Sequence, residues 1–374
     1  MFIEDSHLAD HPNWVNVLLA WYDQHKRDFP WRRKIDVYHT WICEVMSQQT
    51  TMAVVVPRFE RFVATLPDVT SLADCSEDLL RELWSGLGYY ARARNLRNGA
   101  RYIVTERGGH FPANYEQWLT VPGVGPYTAS VIASICAREA KACVDGNVIR
   151  VVARLAGFSS TEVWSELGKK SIQGIADRFI DHDRPGDFNQ AMMELGATLC
   201  QKQSPGCGRC PIKTVCRASQ LGIVAQCPPN KPRKQTEFVE LDALRVSSPA
   251  AGGNEQYLLV ARKRGFLSET VGFPLFPETD RSSLHTWLKE NVHVRSVQIS
   301  SEEPSHTITN HRISVRVVDV ELFEGADLSS EFVRHFSQRF AESVTDCRWV
   351  SKSLTKKTVA SSLDRKIWEN IALF

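Results

Sequence analysis

Two carboxylates stand out by their neighbours. Glu44 lies in TWICEVMSQQTT, where the residues three and four positions away on a helix are largely apolar or uncharged. Such surroundings disfavour the charged form, so this carboxyl is expected to keep its proton near neutral pH and to serve as an acid. Asp145 lies in VDGNVIRVVARLAG, where Asp-Gly marks a turn and Asn147 is the candidate N-cap of a helix starting at Val148. A nearby ionised carboxylate can stabilise a cation or trap it covalently, and a neutral acid paired with a carboxylate is the pairing that cleaves glycosidic bonds. Each residue also has a plainer reading, Glu44 as a surface residue of an amphipathic helix and Asp145 as a structural turn residue.

Two further motifs carry chemistry. CQKQSPGCGRCPIKTVC spaces Cys200, Cys207, Cys210 and Cys216 as C-x6-C-x2-C-x5-C. Four thiolates so spaced can share one metal centre, and zinc and iron–sulfur both accept four cysteines. The other six, Cys43, Cys75, Cys136, Cys143, Cys227 and Cys347, read as small buried hydrophobes. In VPGVGPYTASVIASI, Gly123 and Gly125 permit backbone conformations closed to other residues, and the helix that follows offers free amides to a phosphate. A Gly-x-Gly turn before a helix is common, so this motif draws its meaning from its company.

The elements that must position these groups fall into two kinds. From Trp14 to about Leu221 the apolar residues repeat with helical period, including the long run TWICEVMSQQTTMAVVVPRFERFVATL. AQCPPNKPRKQ, residues 225–235, has three prolines and three basic residues and reads as a linker. Beyond it, alternating and β-branched runs such as EQYLLVARKR and HRISVRVVDVELF predict strands, with SSLHTWLKENV and SSEFVRHFSQRFAES as helices among them. A chain of 374 residues is long enough for two or three cores, and a net charge of +2 neither demands nor excludes nucleic acid. No apolar run is long enough to span a bilayer, and the early acids argue against a secretory signal, so a cytoplasmic protein is expected.

Taken together the motifs resemble the adenine DNA glycosylases of the helix-hairpin-helix glycosylase superfamily. EVMSQQT, GLGYYARARN, VPGVGPYTA, VDGNVIRV, FNQAMMELG and the four cysteines stand in that family's order. The resemblance implies a mainly α catalytic region: a six-helix barrel with the hairpin at 30–137, and an iron–sulfur cluster domain formed by 1–29 and 138–224. A linker at 225–236 and a C-terminal α+β, Nudix-like recognition domain at 237–374 complete it. It implies Glu44 as the acid protonating adenine and Asp145 as stabiliser of the oxocarbenium ion. Tyr127, bonded to that aspartate, and Asn147 support them, while Arg32 and Glu194 surround the extruded base.

By the same resemblance Gln49 and Tyr89 wedge into the duplex, Gln48 lines that region, and Gly123 and Gly125 grip the DNA backbone. Arg92, Arg94 and Arg97 accompany the aromatics as a basic face, and Lys202, Arg209 and Lys213 are expected to meet phosphate. The four cysteines would hold a 4Fe-4S cluster, with zinc as the alternative. Tyr127 stands where the strand-cleaving endonuclease III branch carries a nucleophilic lysine; a phenol cannot form a Schiff base, so base excision without efficient strand cleavage is expected. Ser47 departs from the family's usual leucine.

The C-terminal part resembles the family more loosely. An acidic pyrophosphatase box is missing, and the Phe-Ser-His loop that family members use to read 8-oxoguanine is replaced within EPSHTITNHRISVRV. Two registers are open, Pro304-Ser305-His306 or Ile308-Thr309-Asn310, making Ser305, His306, Thr309 and Asn310 candidate contacts. The expected substrate is double-stranded DNA with adenine opposite 8-oxoguanine or guanine, bound by a monomer that is nucleoid-associated and has no membrane partner. Alternatives are an endonuclease III-like glycosylase/lyase, a catalytically silent mismatch-binding protein and a zinc-bound structural adaptor.

Overall fold

In the computed structural model the described residues are 6–11, 13–232, 235–249, 254–262, 267, 270–277, 281–290, 294–301, 303–308, 310–323, 344–359 and 361–369. The chain divides into two compact units, Met1–Pro232 and Arg233–Phe374. The expected helix in SSEFVRHFSQRFAES lies outside the described residues.

The first unit is helical: α1 (Ser6–Ala9), α2 (Trp14–His25), α3 (Pro30–Arg33), α4 (Val37–Ser47), α5 (Met52–Thr65), α6 (Val69–Asp74) and α7 (Glu77–Leu83) lead to α8 (Ala91–Arg107). Then come α9 (Tyr115–Trp118), α10 (Pro126–Cys136), α11 (Gly146–Ala156), α12 (Glu166–Phe179), α13 (Pro185–Thr198) and α14 (Arg217–Gln220). Two apolar clusters hold it. One gathers Trp41, Ile42, Phe59, Phe62, Leu72, Ile103 and Trp118. The other gathers Trp14, Leu18, Tyr22, Val148, Val151, Phe188 and Met192. Helix α10 touches both α4 and α13, which brings the polar faces of these helices round one cleft.

The long periodic run does not form one helix. It breaks at Gln48–Thr51 into α4 and α5, where Gln48 (φ −56°, ψ 113°) and Gln49 (φ +58°) leave helical dihedrals, and the carbonyls left open at the end of α4 are taken by a side chain: Arg92 Nη1 donates to Val45 O at 2.6 Å and to Met46 O at 3.1 Å. Between α9 and α10, Gly123 turns the hairpin at φ +81°, and a Cβ there would lie 2.7 Å from Asn95 Cβ, so glycine is required. Gly125 differs from expectation. It caps α10 at φ −96°, which any residue adopts, and a Cβ would meet nothing, so no internal contact explains its lack of a side chain.

The second unit is an α+β fold on a mixed sheet. Its strands are β1 (Glu237–Pro249), β2 (Glu255–Arg262), β3 (Val271–Gly272), β4 (Leu275–Pro277), β5 (Val294–Ile299), β6 (Ser305–Ile308), β7 (His311–Leu322) and β8 (Val344–Ser351). The order is β3-β2-β1-β7-β5, with β4 on β1, β6 on β7 and β8 on β2. β1 and β7 run parallel from Glu237 opposite His311 to Ser247 opposite Glu321. The period-two alternation sends Leu244 and Val246 to one face, with Leu284 and Leu288 of α15 (Arg281–Glu290). Leu241 and Ala243 go to the other, with Val359 after α16 (Lys352–Thr358) and with Leu363 and Ile367 of α17 (Ser362–Glu369).

Candidate active site

A cleft of about 620 Å³ in the helical unit is lined by Glu44, Asp145, Tyr127, Asn147, Arg32, Glu194, Gln48 and Gln49 together with Tyr22, Arg27, Phe29 and Met193. The two carboxylates reach it from different helices. Asp36 caps α4, accepting from His39 N at 2.9 Å, and the helix carries Glu44 half-buried on its cleft side. Burial, and then the charge of Asp145, push the Glu44 carboxyl up to about 7 against the opposing pull of Arg32. At neutral pH a large share of this group therefore carries a proton it can give away.

Asp145, not Asn147, is the N-cap of α11, so the helix starts at Gly146 rather than Val148. Asp145 Oδ1 accepts from Asn147 N at 2.9 Å and Val148 N at 2.8 Å, which satisfies two of the helix's orphan amides. Asn147 Nδ2 donates to Asp145 Oδ2 at 3.0 Å, so both oxygens are fixed, by bonds that strengthen when the acceptor is ionised. Arg150 extends the chain: Nη2 donates to Asn147 Oδ1 and to Gly196 O, each at 2.8 Å, and Nε donates to Cys200 O at 2.7 Å.

Tyr127 enters the cleft from the first turn of α10. Burial, then the Glu44 and Asp145 charges, push its phenol well above the usual range, so it stays a neutral donor. It donates to Met193 Sδ at 3.2 Å, and the bond to Asp145 implied by the resemblance is not made among the described residues. Asn147 and the α11 amides donate three bonds to that carboxylate, while Met193 on α13 offers the phenol a soft acceptor.

Arg32 and Glu194 form one cluster, completed by Arg27. Arg32 Nη1 donates to Glu194 Oε2 at 3.0 Å and Arg27 Nη2 to the same oxygen at 3.3 Å, while the Arg32 guanidinium lies 4.9 Å from the Phe29 ring centroid. Burial raises the Glu194 carboxyl, but the bonds from Arg27 and the charge of Arg32 outweigh it and hold the group below its usual range. Arg27, Phe29 and Met193 were not foreseen: Arg27 ends the Lys-Arg pair after α2 and precedes the motif run, while Met193 reads as an ordinary apolar helix residue.

Gln48 and Gln49 follow α4 at the cleft edge, and Gln49 has φ +58°. Tyr89 has φ +42° and is 69% exposed, so an aromatic ring is held in solvent by a backbone that side-chain-bearing residues seldom adopt. Arg92 joins the two segments, since its Nη2 donates to Leu87 O at 2.7 Å and Gly88 O at 3.3 Å while Nη1 holds the end of α4. Arg97 is buried, meeting Cys75 O and Glu77. Arg92 and Arg97 are thus internal staples, which corrects their expected place on a basic surface.

Cys200, Cys207, Cys210 and Cys216 are free thiols, each half-buried. Burial, against backbone hydrogen bonds that lower both and with the charges of the neighbouring cysteines, pushes Cys210 up to about 11 and raises Cys216. Arg154, itself buried, staples the loop: Nη1 donates to Cys200 Sγ at 3.3 Å and Gln201 O at 2.8 Å, and Nε to Cys227 O at 2.8 Å. Neighbouring thiols with a cation bonded to one sulfur fit a shared tetrathiolate centre. Among the described residues no three or more His, Cys, Asp or Glu side chains are gathered to hold a single metal ion.

In the second unit Ser305 and His306 lie on β6, Thr309 lies outside the described residues, and Asn310 at the β6–β7 turn donates to Gln235 O at 3.2 Å.

The family described as "HhH-GPD superfamily base excision DNA repair protein" matches residues 42–173. Over 224 residues the chain is 44% identical to the adenine DNA glycosylase of Rattus norvegicus, covering 58% of this chain and 43% of that protein. Over 275 residues it is 36% identical to the adenine DNA glycosylase of Buchnera aphidicola subsp. Acyrthosiphon pisum (strain APS), covering 73% of this chain and 77% of that protein. The match thus spans less than half of the rat relative and more than three quarters of the Buchnera one. Among solved structures, that of a thermostable thymine-DNA glycosylase is similar at a TM-score of 0.52 and 25% identity, over 56% of this chain and 95% of that one.

Proposed function

The chain belongs to the adenine DNA glycosylase family, and from that premise we propose that it is a monofunctional glycosylase removing adenine opposite 8-oxoguanine or guanine in duplex DNA, as a step of base excision repair. The observation that carries this reading is the pairing, in one cleft, of Glu44 raised to about 7 with the hydrogen-bonded Asp145.

In the proposed reaction the extruded adenine enters the cleft and Glu44 gives its proton to a ring nitrogen of the base. The glycosidic bond then breaks, its electron pair leaving with the base, and positive charge develops on the deoxyribose. Asp145, its oxygens already oriented by the α11 amides and Asn147, stabilises that cation at no reorganisation cost. Water adds at the sugar carbon and releases a proton, leaving an abasic strand. Arg27, Arg32 and Glu194 offer fixed donors and acceptors to the edge of a heterocycle, and Tyr22 and Phe29 supply aromatic surface.

Gln49 and Tyr89 are the proposed wedges, presented by strained backbone. Gly125 leaves the amides at the start of α10 open to a DNA phosphate. Cys200, Cys207, Cys210 and Cys216 would hold a 4Fe-4S cluster, which cross-links the loop through four iron–thiolate bonds and is redox-capable. The parts proposed to act on the base and sugar all lie in Met1–Pro232.

The test is single-turnover cleavage of duplexes with adenine opposite 8-oxoguanine, guanine, cytosine or thymine, with and without alkali. Strand breaks should appear only after alkali and fastest for the first two partners. Alkali-independent nicking with a borohydride-trapped adduct would instead place the chain with the glycosylase/lyases.

A further inference from the structure

We propose that a cationic cleft on the C-terminal unit, formed by Arg312, Lys366 and His306, is a binding site for a DNA phosphodiester. The inference rests on the reading of the substrate as duplex DNA. The cleft measures about 610 Å³ and is lined by Thr236, Ser305, His306, Thr307, Arg312 and Lys366. Every lining side chain is a hydrogen-bonding group, two are permanently charged cations, and no carboxylate lines it. Arg312 has no ion-pair or hydrogen-bond partner for its guanidinium among the described residues, and Lys366 spends its ammonium on a neutral carbonyl, donating to Ser305 O at 2.6 Å. Two cations left uncompensated at one cleft call for an anion from outside. A phosphodiester suits them: it brings charge to both and acceptor oxygens to the Ser305 and Thr307 hydroxyls.

The walls are rigid, which distinguishes the cleft from a patch of loose surface lysines. β6 is pinned to β7 with Thr307 opposite Arg312. Helix α17 is anchored from beneath by buried Asp364, which accepts from Arg262 Nη2 at 2.6 Å, Arg262 Nη1 at 2.8 Å and Phe273 N at 3.0 Å. A Cβ at Gly272 would lie 2.2 Å from Asp364 Oδ1, so the strand admits that carboxylate only as glycine. On the anchored helix Ser362 and Lys366, four residues apart, share one face: Ser362 Oγ meets His306 Nε2 at 3.1 Å while Lys366 holds the carbonyl of Ser305. The cleft is therefore preorganised, and binding costs little further ordering of the groups that make it.

A phosphate contact positions a duplex without reading it. The full chain is titrated with duplexes carrying adenine opposite 8-oxoguanine, guanine or cytosine across a salt series, comparing wild type with Arg312→Gln, Lys366→Gln and the charge-keeping Arg312→Lys. The two neutral variants should each weaken binding several-fold and equally for all partners, and each should flatten the slope of log K against log salt by about 0.9. Arg312→Lys should restore that slope. Circular dichroism and thermal unfolding of the same samples establish that the variants fold. An unchanged slope in folded Arg312→Gln would overturn the site, as would a loss confined to one partner base. Inorganic phosphate alone should not protect the chain against thermal unfolding at the phosphate concentration of the duplex; equal protection would reduce the cleft to a general anion site. Adenine release by the wild type is scored separately, so a failure of the glycosylase reading is distinguishable from a failure of this one.

Discussion

Asn147 Nδ2 donates to Asp145 Oδ2 at 3.0 Å, and the other oxygen of the same carboxylate caps α11. One side chain thus has a structural and a proposed chemical task, and the two can be separated. Asparagine caps helices about as well as aspartate, so Asp145→Asn should keep the fold to within about 1 kcal/mol. It removes the carboxylate proposed to stabilise the sugar cation, and excision should fall by roughly 10²–10³ or more. Thermal unfolding and single-turnover rates on one preparation decide it. A variant that loses stability and rate in proportion would make the aspartate a cap and nothing else.

Glu44 predicts opposite trends for stability and activity. Its carboxyl is raised from 4.5 to about 7 in the folded chain, chiefly by burial, so between those values the folded state binds more protons than the unfolded. This group's contribution is fully favourable below pH 4.5 and is lost as pH rises through about 7, a change on the order of 3 kcal/mol at most. Glu44→Gln should then unfold at higher temperature than wild type at pH 8 while excising adenine at least about 100-fold more slowly. The wild-type single-turnover rate should decline above about pH 7, and a rate flat from pH 6 to 9 would remove Glu44 from the role of acid.

Arg92 fastens the end of α4 to the segment bearing Tyr89, using both terminal nitrogens on four carbonyls. The conformations of Gln49 and Tyr89 cost about 1–3 kcal/mol each and persist only because their surroundings impose them. Arg92→Lys keeps the charge but cannot span both segments, so it should behave much like Arg92→Ala. Both should lose about 10-fold in excision from duplex DNA, and less when the adenine faces an abasic position and is already unstacked. Equal losses on the two substrates would mean that the clamp serves stability rather than base extrusion.

How much of this was legible depended on whether a residue's task is written in its neighbours. The apolar setting of Glu44, the turn around Asp145 and the cysteine spacing are local, and the helical and alternating periods separate the two kinds of unit. The break after α4 is not local: the apolar period runs through it, and the side chain that takes the carbonyls it leaves open is Arg92, more than forty positions on. The same distance hid the inward turn of Arg92 and Arg97, because arginines among tyrosines look alike whether they face DNA or a carbonyl. Asp145 replaced Asn147 as cap because both residue types suit that position, and only the backbone decides which carbonyl starts the helix. Met193 carried no signal at all, since its part is to be the soft acceptor that happens to face Tyr127.

Arg154 gives the last test, and it concerns the cysteine loop. Its side chain is 3% exposed and donates to Cys200 Sγ and to the carbonyls of Gln201, Val224 and Cys227, so it closes the loop from within α11. Arg154→Met fills similar volume and leaves those acceptors without a donor, a cost of about 1–3 kcal/mol for each one that stays buried. If the four thiols hold a 4Fe-4S cluster, the as-isolated protein should be brown, and the variant should lose its absorbance near 400 nm faster under chelator or oxidant. Because Arg150 ties Cys200 O to Asn147, loss of the cluster should also slow excision in the variant before its helices melt. A colourless wild type binding one zinc per chain, with excision unaffected by chelation, would rule out the iron–sulfur assignment and its link to the aspartate.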